Sequence, residues 1–238
     1  MPLIYSPLSE DVLGPPQGRL YPKSAFLMCQ LGDPPELDQK MTKLVVDVFE
    51  NSGIIVKDAG SSAGGKDFLE RILGLIQGSG FVVALFSENT RPNAFANIAL
   101  ELGFATMCGK PIVVIKSEKG QAPSDLTRTD WIEYRPEDVA GFTEKVKQAI
   151  EEIRALADFQ GDTLKIALEA DRMDCAIALE RARKAFLLTG LEDYIDHART
   201  ILDRLEDANE HENISDLSRQ SEEIKLFIRQ AERSLEDR

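Results

Sequence analysis

Glu101 is a single carboxylate within a run of apolar and small residues, and this setting makes it the first candidate for chemistry. Its neighbours are Ile98, Ala99, Leu100, Leu102, Gly103, Phe104 and Ala105. A carboxylate is costly in such surroundings unless it lies in a solvated cleft or is hydrogen bonded. In a cleft it can stabilise an oxocarbenium-like sugar or attack the anomeric carbon. The alternative is a glutamate on the solvent face of a helix, and the pattern alone leaves both interpretations open.

The residues around Glu101 predict a strand, a helix and a second strand. An apolar run at residues 81–86 leads through a polar loop into a helix dense in Ala and Gly, and Gly109-Lys110-Pro111 precedes a second apolar run. Uninterrupted apolar runs of this length are typical of parallel strands that are covered on both faces. We therefore expect Glu101 to lie on a helix between two buried parallel strands.

The same alternation of strand and helix extends over residues 23–155. The predicted strands are residues 24–31, 54–60, 81–87, 111–116 and 130–135. The helices between and after them cover residues 36–51, a segment that includes Phe68 to Ile76, the Glu101 segment, and residues 137–154. This alternation predicts an α/β fold with a doubly wound, flavodoxin-like parallel sheet of five strands in the order 2-1-3-4-5, with right-handed crossovers.

Two segments flank the predicted α/β domain. Residues 1–22 are Pro-rich and lack a period, which indicates an extended arm that packs across a neighbour or is disordered. Residues 156–238 predict a helical domain, with helices at 162–189, 191–207 and 214–235. The last helix has a narrow apolar seam that needs a partner helix, either within the bundle or from a second chain. The arm and the tail together predict a homo-oligomer.

Composition excludes several classes of function. The apolar runs are far shorter than the roughly 20 residues that cross a bilayer, and the N-terminal segment does not resemble a signal peptide. We therefore expect a cytoplasmic protein with no membrane partner. The net charge of -13 repels phosphate backbones, which argues against nucleic acid as a partner.

Cysteine and histidine give little support for metal or triad chemistry. Cys29, Cys108 and Cys175 are odd in number and widely spaced, which favours buried reduced thiols over disulfides or a metal site. The two histidines, His197 and His211, both lie in the polar C-terminal third. We expect neither a bound metal nor a Ser-His-Asp triad.

In an open parallel sheet, ligands bind outside the carboxyl ends of the strands, near the point where the strand order reverses. The candidate binding residues are those that follow the strands or begin the next helix: Gln30, Gly32, Asp33, Ser87, Asn89, Asn93 and Asn97. Gly32 allows close approach of a ligand to the backbone, although a simple tight turn also explains it. Three aromatic residues, Phe26, Phe86 and Phe95, either stack on a base or pack in the core.

Residues 93–112 read N-x-F-x-N-x-A-L-E-L-G-F-A-x-x-x-G-K-P-I. This segment resembles one shared by nucleoside 2-deoxyribosyltransferases and bacterial TIR-like proteins, in which E-x-G-x-A-x-x-x-G-K-P carries the catalytic glutamate. The matching positions are Glu101, Gly103, Ala105, Gly109, Lys110 and Pro111. Residues 123–135 resemble the loop and last strand that follow in bacterial TIR-like chains, and the turn at Gln30 to Gly32 is similar to their first nucleotide-contacting turn. The resemblance covers about residues 24–154 and implies a catalytic Glu101 and a nucleotide ligand.

Three functions remain open after this resemblance. The first is a TIR-like N-glycosidase that cleaves NAD or a related nucleotide, with NAD as substrate and no cofactor, and with a role in bacterial defence against phage. The second is a module that binds a nucleotide signal without cleaving it. The third is a nucleoside 2-deoxyribosyltransferase.

One departure from the deoxyribosyltransferase pattern separates the enzyme readings. That family carries an aspartate at the end of the third strand, where this chain has Ser87 followed by Glu88. Glu88 either substitutes for the aspartate or is a solvated loop residue. The departure favours the TIR-like reading, because the leaving group of NAD is already cationic and needs little acid assistance. In that reading the Gly-rich loop at residues 61–65 is a mobile flap. A phosphoacceptor receiver domain is disfavoured, because Ser87 occupies the position of its aspartate.

Overall fold

The computed structural model describes residues 4–5, 18–60, 68–123, 131–170, 172–212 and 215–237. The predicted flap at residues 61–65 and most of the loop before the fifth predicted strand lie outside the described residues. The six strands are β1 (Ile4–Tyr5), β2 (Tyr21–Met28), β3 (Ile55–Asp58), β4 (Ser79–Phe86), β5 (Ile112–Ser117) and β6 (Ile132–Tyr134). The seven helices are α1 (Glu36–Asn51), α2 (Phe68–Gly78), α3 (Pro92–Met107), α4 (Val139–Glu169), α5 (Cys175–Thr189), α6 (Asp193–Glu212) and α7 (Ser215–Glu236).

Five of the strands form a parallel sheet, which confirms the predicted α/β class and its accompanying helical part. Strand β2 pairs with β3 on one side and β4 on the other, β4 pairs with β5, and β5 pairs with β6. The short β1 lies antiparallel to the first residues of β5, while β6 pairs with its last residues. One edge of β5 therefore pairs with two different strands, β1 near its start and β6 near its end.

Alternate side chains of the central strand β4 build two cores. All eight of its residues are buried, because helices cover both faces of the sheet. Phe81, Val83 and Leu85 pack with residues of α1 and α4. Val82, Ala84 and Phe86 pack with residues of α2 and α3 on the opposite face. The period of two in a strand thus divides a continuous apolar run between two helical layers.

The helical boundaries differ from the predicted ones in the second half of the chain. Helix α4 does not end at Arg154 but continues to Glu169, across the predicted domain boundary. The predicted single helix at 162–189 is wrong, because the chain leaves the helix at Ala170 and starts α5 after Asp174. The carboxylate of Asp174 accepts hydrogen bonds from the backbone N–H groups of Ala176 and Ile177, as an N-cap does. The predicted stop at Gly190 is confirmed, with a φ of 68°.

The first strand of the parallel sheet begins earlier than predicted, since Tyr21 and Pro22 of the expected arm belong to β2.

The helical part of the chain has a hydrophobic core of its own, the third in this protein. Helices α4 to α7 bury a cluster in which the rings of Phe186 and Phe227 meet edge to face at 5.8 Å. Ile224, Ile228 and Ala231 of the predicted α7 seam belong to this cluster, so the seam has its partners within the chain. Within the described residues, no helix is both long and apolar enough to cross a membrane.

Gly80 and Gly103 provide a matched test of how closely α5 packs on the sheet. A Cβ added at Gly80 would lie 2.5 Å from the backbone oxygen of Leu187 on α5, whereas one added at Gly103 would meet nothing within 4 Å. We expect Gly80→Ala to lower the free energy of unfolding by about 2 kcal/mol or more. We expect Gly103→Ala to be neutral or to raise it by up to about 1 kcal/mol, because alanine is the better helix former. Urea denaturation of both variants checks this, and equal effects would contradict the close contact.

Candidate functional site

The strand order creates a crevice at the carboxyl ends of β2 and β4. These two strands are parallel neighbours. The helix after β2 is α1, which packs on one face of the sheet, and the helix after β4 is α3, which packs on the other face. The two connections therefore diverge and leave a space between them, as at the ligand-binding edge of open α/β sheets.

A cleft of about 760 Å³ occupies this crevice. Its walls are the residues that follow β2 and the first three turns of α3: Cys29, Leu31, Gly32, Arg91, Pro92, Asn93, Ala94, Asn97, Ile98 and Glu101. Four of the predicted site residues, Gly32, Asn93, Asn97 and Glu101, thus line one cavity. A volume of this size is in the range of small-molecule sites.

Asn93, Asn97 and Glu101 form a polar row along α3. They are spaced by four residues, so they lie above one another on one helical face. The sheet-facing side of the same helix is apolar, with Ile98, Leu102 and Ala105 buried. Glu101 is only half-buried and lines the cleft. Its side chain is therefore neither in the core nor on the open outer face of the helix.

Burial raises the pKa of Glu101 from 4.5 to about 7. Desolvation is the cause, because burial disfavours the charged form of a carboxyl group. Among the described residues, none donates a hydrogen bond to this carboxylate. A group held near its pKa at neutral pH and facing a cavity is typical of functional sites.

Arg91 joins the two connections that border the cleft. Its backbone N–H donates to Oε1 of the buried Gln30 at 2.8 Å. Its Nη2 donates to the carbonyl oxygens of Leu31 at 3.0 Å and Gly32 at 2.7 Å. Gln30, a predicted ligand residue, therefore holds the loops together and does not line the cleft. Arg91 was missed as a site residue, although its position directly before α3 at a strand end is a signal that could have found it.

The turn after β2 has two successive residues in the left-handed region, Gly32 with φ of 69° and Asp33 with φ of 48°. A Cβ at Gly32 would meet nothing within 4 Å, so the glycine is required by conformation and not by space. Asp33 is exposed and does not belong to the cleft lining. The turn places the Gly32 backbone, but not the Asp33 side chain, at the cavity wall.

The other predicted residues at the end of β4 lie away from the cleft. Ser87 is buried, and its hydroxyl accepts a hydrogen bond from the N–H of the exposed Asn89 at 3.0 Å. Glu88 accepts a hydrogen bond from the Ser117 hydroxyl, which lowers its pKa. Glu88 is therefore bound to β5 and is not placed to replace an acid in the cleft.

A second carboxylate, Asp38 of α1, lies near Ser87. Burial raises its pKa, a hydrogen bond from Ser87 opposes this shift, and Glu88 adds to it. Asp38 and Ser87 line a separate small cavity with Cys29, which borders both cavities. Burial, followed by the nearby carboxylates of Asp58, Glu101 and Asp38, raises the pKa of the Cys29 thiol to about 12. Cys29 is therefore a thiol, not a thiolate nucleophile, at neutral pH.

Lys110 of the G-K-P sequence links two parts of the backbone and does not line the cleft. Its ammonium is buried and donates to the backbone oxygens of Gln77 at 2.7 Å and Ser79 at 2.8 Å. These bonds tie the turn before β5 to the junction of α2 and β4, since Gln77 belongs to α2 and Ser79 to β4. Gly109, with φ of 62°, forms the bend that precedes it.

The aromatic candidates pack in the core. Phe26 and Phe86 are at most 1% exposed, and Phe95 packs on Phe86 with 5.4 Å between ring centroids. None of the three lines the cleft. Within the described part of the chain, no group of three His, Cys, Asp or Glu side chains could hold a metal ion.

The fold and the cleft define an α/β protein with a candidate ligand site at the strand-switch edge of a parallel sheet. Neither a scan against protein-family models nor a search of curated proteins found a match for this chain.

The raised pKa of Glu101 predicts a pH-dependent effect on stability. Between pH 4.5 and about 7 the folded protein keeps a proton that the unfolded chain releases, so stability is lost as pH rises through this window. Glu101→Gln removes this loss, because glutamine does not titrate. We expect the free energy of unfolding of Glu101→Gln, relative to that of the wild type, to increase by about 2 kcal/mol from pH 5 to pH 8, measured by urea denaturation.

Glu144→Gln, an exposed glutamate on α4, is the matched control and should show no such growth. An advantage for Glu101→Gln that is the same at both pH values would show that the carboxylate is not desolvated.

Proposed function

We propose that this protein is a TIR-like N-glycosidase that cleaves NAD or a closely related nucleotide, with Glu101 as the catalytic carboxylate. The observation that carries the proposal is the half-buried Glu101 on the wall of the switch-point cleft, with Asn93 and Asn97 above it on the same helical face. The strand pairings support the assignment. Counted along the chain, the pairings of the five parallel strands fit the order 2-1-3-4-5 that is expected of a flavodoxin-like sheet.

The lining of the cleft suits a nucleotide with phosphate and ribose groups. The Gly32 backbone and the N-terminus of α3 face the cleft, and helix N-termini attract phosphate oxygens. Arg91 uses Nη2 for two carbonyl bonds, which leaves the hydrogens on Nε and Nη1 available to a phosphate at the cleft edge. The amides of Asn93 and Asn97 can hydrogen bond ribose hydroxyls and place the anomeric carbon near Glu101.

The chemistry follows from the charge on the leaving group. As the bond between C1′ and the nicotinamide nitrogen breaks, its electron pair moves to the cationic ring, which leaves neutral. The Glu101 carboxylate stabilises the oxocarbenium-like ribose or forms an ester with C1′. Water then attacks C1′, loses a proton, and gives the ribose hydroxyl. No acid is needed at the nicotinamide, which agrees with a cleft whose described lining contains one carboxylate.

The presence of one carboxylate in the described lining of the cleft weighs against deoxyribosyl transfer. A purine or pyrimidine leaving group needs a proton from an acid. Glu88 is hydrogen bonded to Ser117, and neither Glu88 nor Asp38 lines the cleft. Binding of a nucleotide signal without cleavage uses the same cavity and is separated from catalysis by the experiment below. The role in defence against phage stays a prediction from the resemblance.

The decisive experiment incubates the purified protein with NAD and, separately, with a deoxynucleoside and a free base. We expect release of nicotinamide and ADP-ribose from NAD, no base exchange, and a loss of at least about 1000-fold in NAD cleavage for Glu101→Gln. Chromatography of the products measures both reactions, and Glu144→Gln should retain full activity.

A thermal-shift series with NAD accompanies the assay. If NAD raises the melting temperature of both the wild type and Glu101→Gln but is not cleaved, the protein binds a nucleotide signal and does not act as an N-glycosidase. Base exchange on deoxynucleosides would favour the transferase, and neither cleavage nor stabilisation would remove the nucleotide proposal.

The pH profile tests which form of Glu101 reacts. The ionised carboxylate is needed beneath the ribose, and the pKa of Glu101 is about 7 in the ligand-free protein. We therefore expect kcat/KM for NAD to rise with pH and to level off above a midpoint near 7, since kcat/KM reports the free enzyme. A profile that falls over pH 5.5 to 8.5 would mean that the protonated acid is the active form, contrary to this mechanism.

A further inference from the structure

A second cavity lies at the opposite edge of the sheet, where β2 and β3 begin. Its volume is about 370 Å³, and the end of α7 closes one side through Ser234 and Asp237. Three basic side chains, Arg19, Lys23 and Lys57, line it. This is a concentration of positive charge on a chain whose net charge is -13.

The ring of Tyr21 holds two of these cations in place. The guanidinium carbon of Arg19 lies 5.8 Å from the ring centroid, and the ammonium of Lys57 lies 5.5 Å from it. Such distances are those of cation–π contacts. The ring itself packs against Gly78, where an added Cβ would lie 2.9 Å from ring carbon Cδ2. Tyr21 therefore organises the basic groups and is fixed by the backbone beneath it.

Lys23 also lines this cavity, and its backbone conformation is strained. Its φ of 57° is in the left-handed region, which costs a non-glycine residue about 1 kcal/mol or more. Its ammonium extends over Gly53, 3.3 Å from where a Cβ at that position would be. A strained residue that directs an exposed ammonium into a basic cavity is typical of a ligand site.

The charges in the cavity do not cancel. Arg19 forms an ion pair with Asp237 at 3.0 Å, and this is the one carboxylate in the described lining. Three cations against one carboxylate leave two positive charges. A phosphate group carries nearly two negative charges at neutral pH.

We propose that this cavity binds a small phosphate-bearing anion, at a site separate from the Glu101 cleft and independent of the proposed function. The volume fits a small molecule, and the chain's overall negative charge disfavours a long polyanion such as nucleic acid. The exposed side chain of Ile55 gives the cavity an apolar wall for the rest of the molecule.

Binding at this site also acts on the helical part. Asp237, which directly follows α7, pairs with Arg19, and Gln230 of α7 donates to the backbone oxygen of Gly18 at 2.9 Å. Both contacts tie the end of α7 to the segment that leads into β2. A bound anion competes with Asp237 for Arg19 and so weakens one of these two ties.

Isothermal titration of the full chain with inorganic phosphate and with pyrophosphate, at low ionic strength, tests the proposal. We expect Lys57→Gln and Lys23→Asn each to weaken binding at least fivefold. Asparagine is chosen at position 23 because it tolerates a positive φ. We expect Asp237→Asn to tighten binding at least threefold, because it removes the competing carboxylate. Lys145→Gln, an exposed lysine on α4, changes the net charge equally and should leave affinity unchanged.

The Lys23 and Lys57 variants separate this site from the Glu101 cleft, because neither residue lines that cleft. The proposal is overturned if neither anion binds, or if the Lys23 and Lys57 variants bind as the wild type does. It is also overturned if Asp237→Asn fails to tighten binding, since Asp237 then does not compete with the anion for Arg19. Weakening by Lys145→Gln equal to that by the two cavity variants would likewise overturn it, since a non-specific attraction responds equally to all single-charge changes.

Discussion

The parallel pairing of β2 with β4 is the constraint on which the rest of the structure depends. Because β2 is followed by a helix on one face and β4 by a helix on the other, the two connections separate at their shared edge. A crevice there is a consequence of topology, whatever residues line it. Arg91 then limits how far the connections separate, through three hydrogen bonds to residues about 60 positions earlier in the chain. The fold supplies the space, and this arginine fixes its width.

Glu101 places a carboxylate in that space at a cost to the stability of the folded protein. A neutral side chain at this position would avoid desolvation, yet the chain keeps a carboxylate whose pKa is raised to about 7 by burial alone. Native proteins keep such groups mainly where a ligand compensates them. In the proposed reaction, a substrate with a cationic ring and a developing positive sugar does so, because it lowers the energy of the charged carboxylate. Under that proposal, the same burial that destabilises the free protein strengthens the interaction in the transition state.

The sequence predicted those parts of the structure that depend on local pattern. Apolar runs identified the five parallel strands and α1, and Gly190 identified the end of α5. The polar row at Asn93, Asn97 and Glu101 was not predicted as a row, although it follows from helical spacing alone. Contacts between distant residues were not predictable. Lys110 reads as part of a motif, but its bonds to Gln77 and Ser79 depend on the junction of α2 and β4, which is more than 30 residues away in the chain. The predicted end of α4 at Arg154 was wrong although no Gly, Pro or cap interrupts residues 154–160, and the break at 170–174 was missed because only Asp174 marks it.

Strand β2 links the two candidate sites, and its length limits how they can influence each other. Its first residue, Tyr21, lines the basic cavity, and Cys29, which follows its last residue, lines the Glu101 cleft. Eight residues at about 3.3 Å each separate the sites by roughly 25 Å, more than twice the Debye length of about 8 Å at physiological salt. A charge bound at one edge therefore has little direct electrostatic effect on Glu101. Any coupling between the sites must instead pass through a change in packing, and the contacts of α7 with residues 18–19 are the part of the structure where an anion could cause one.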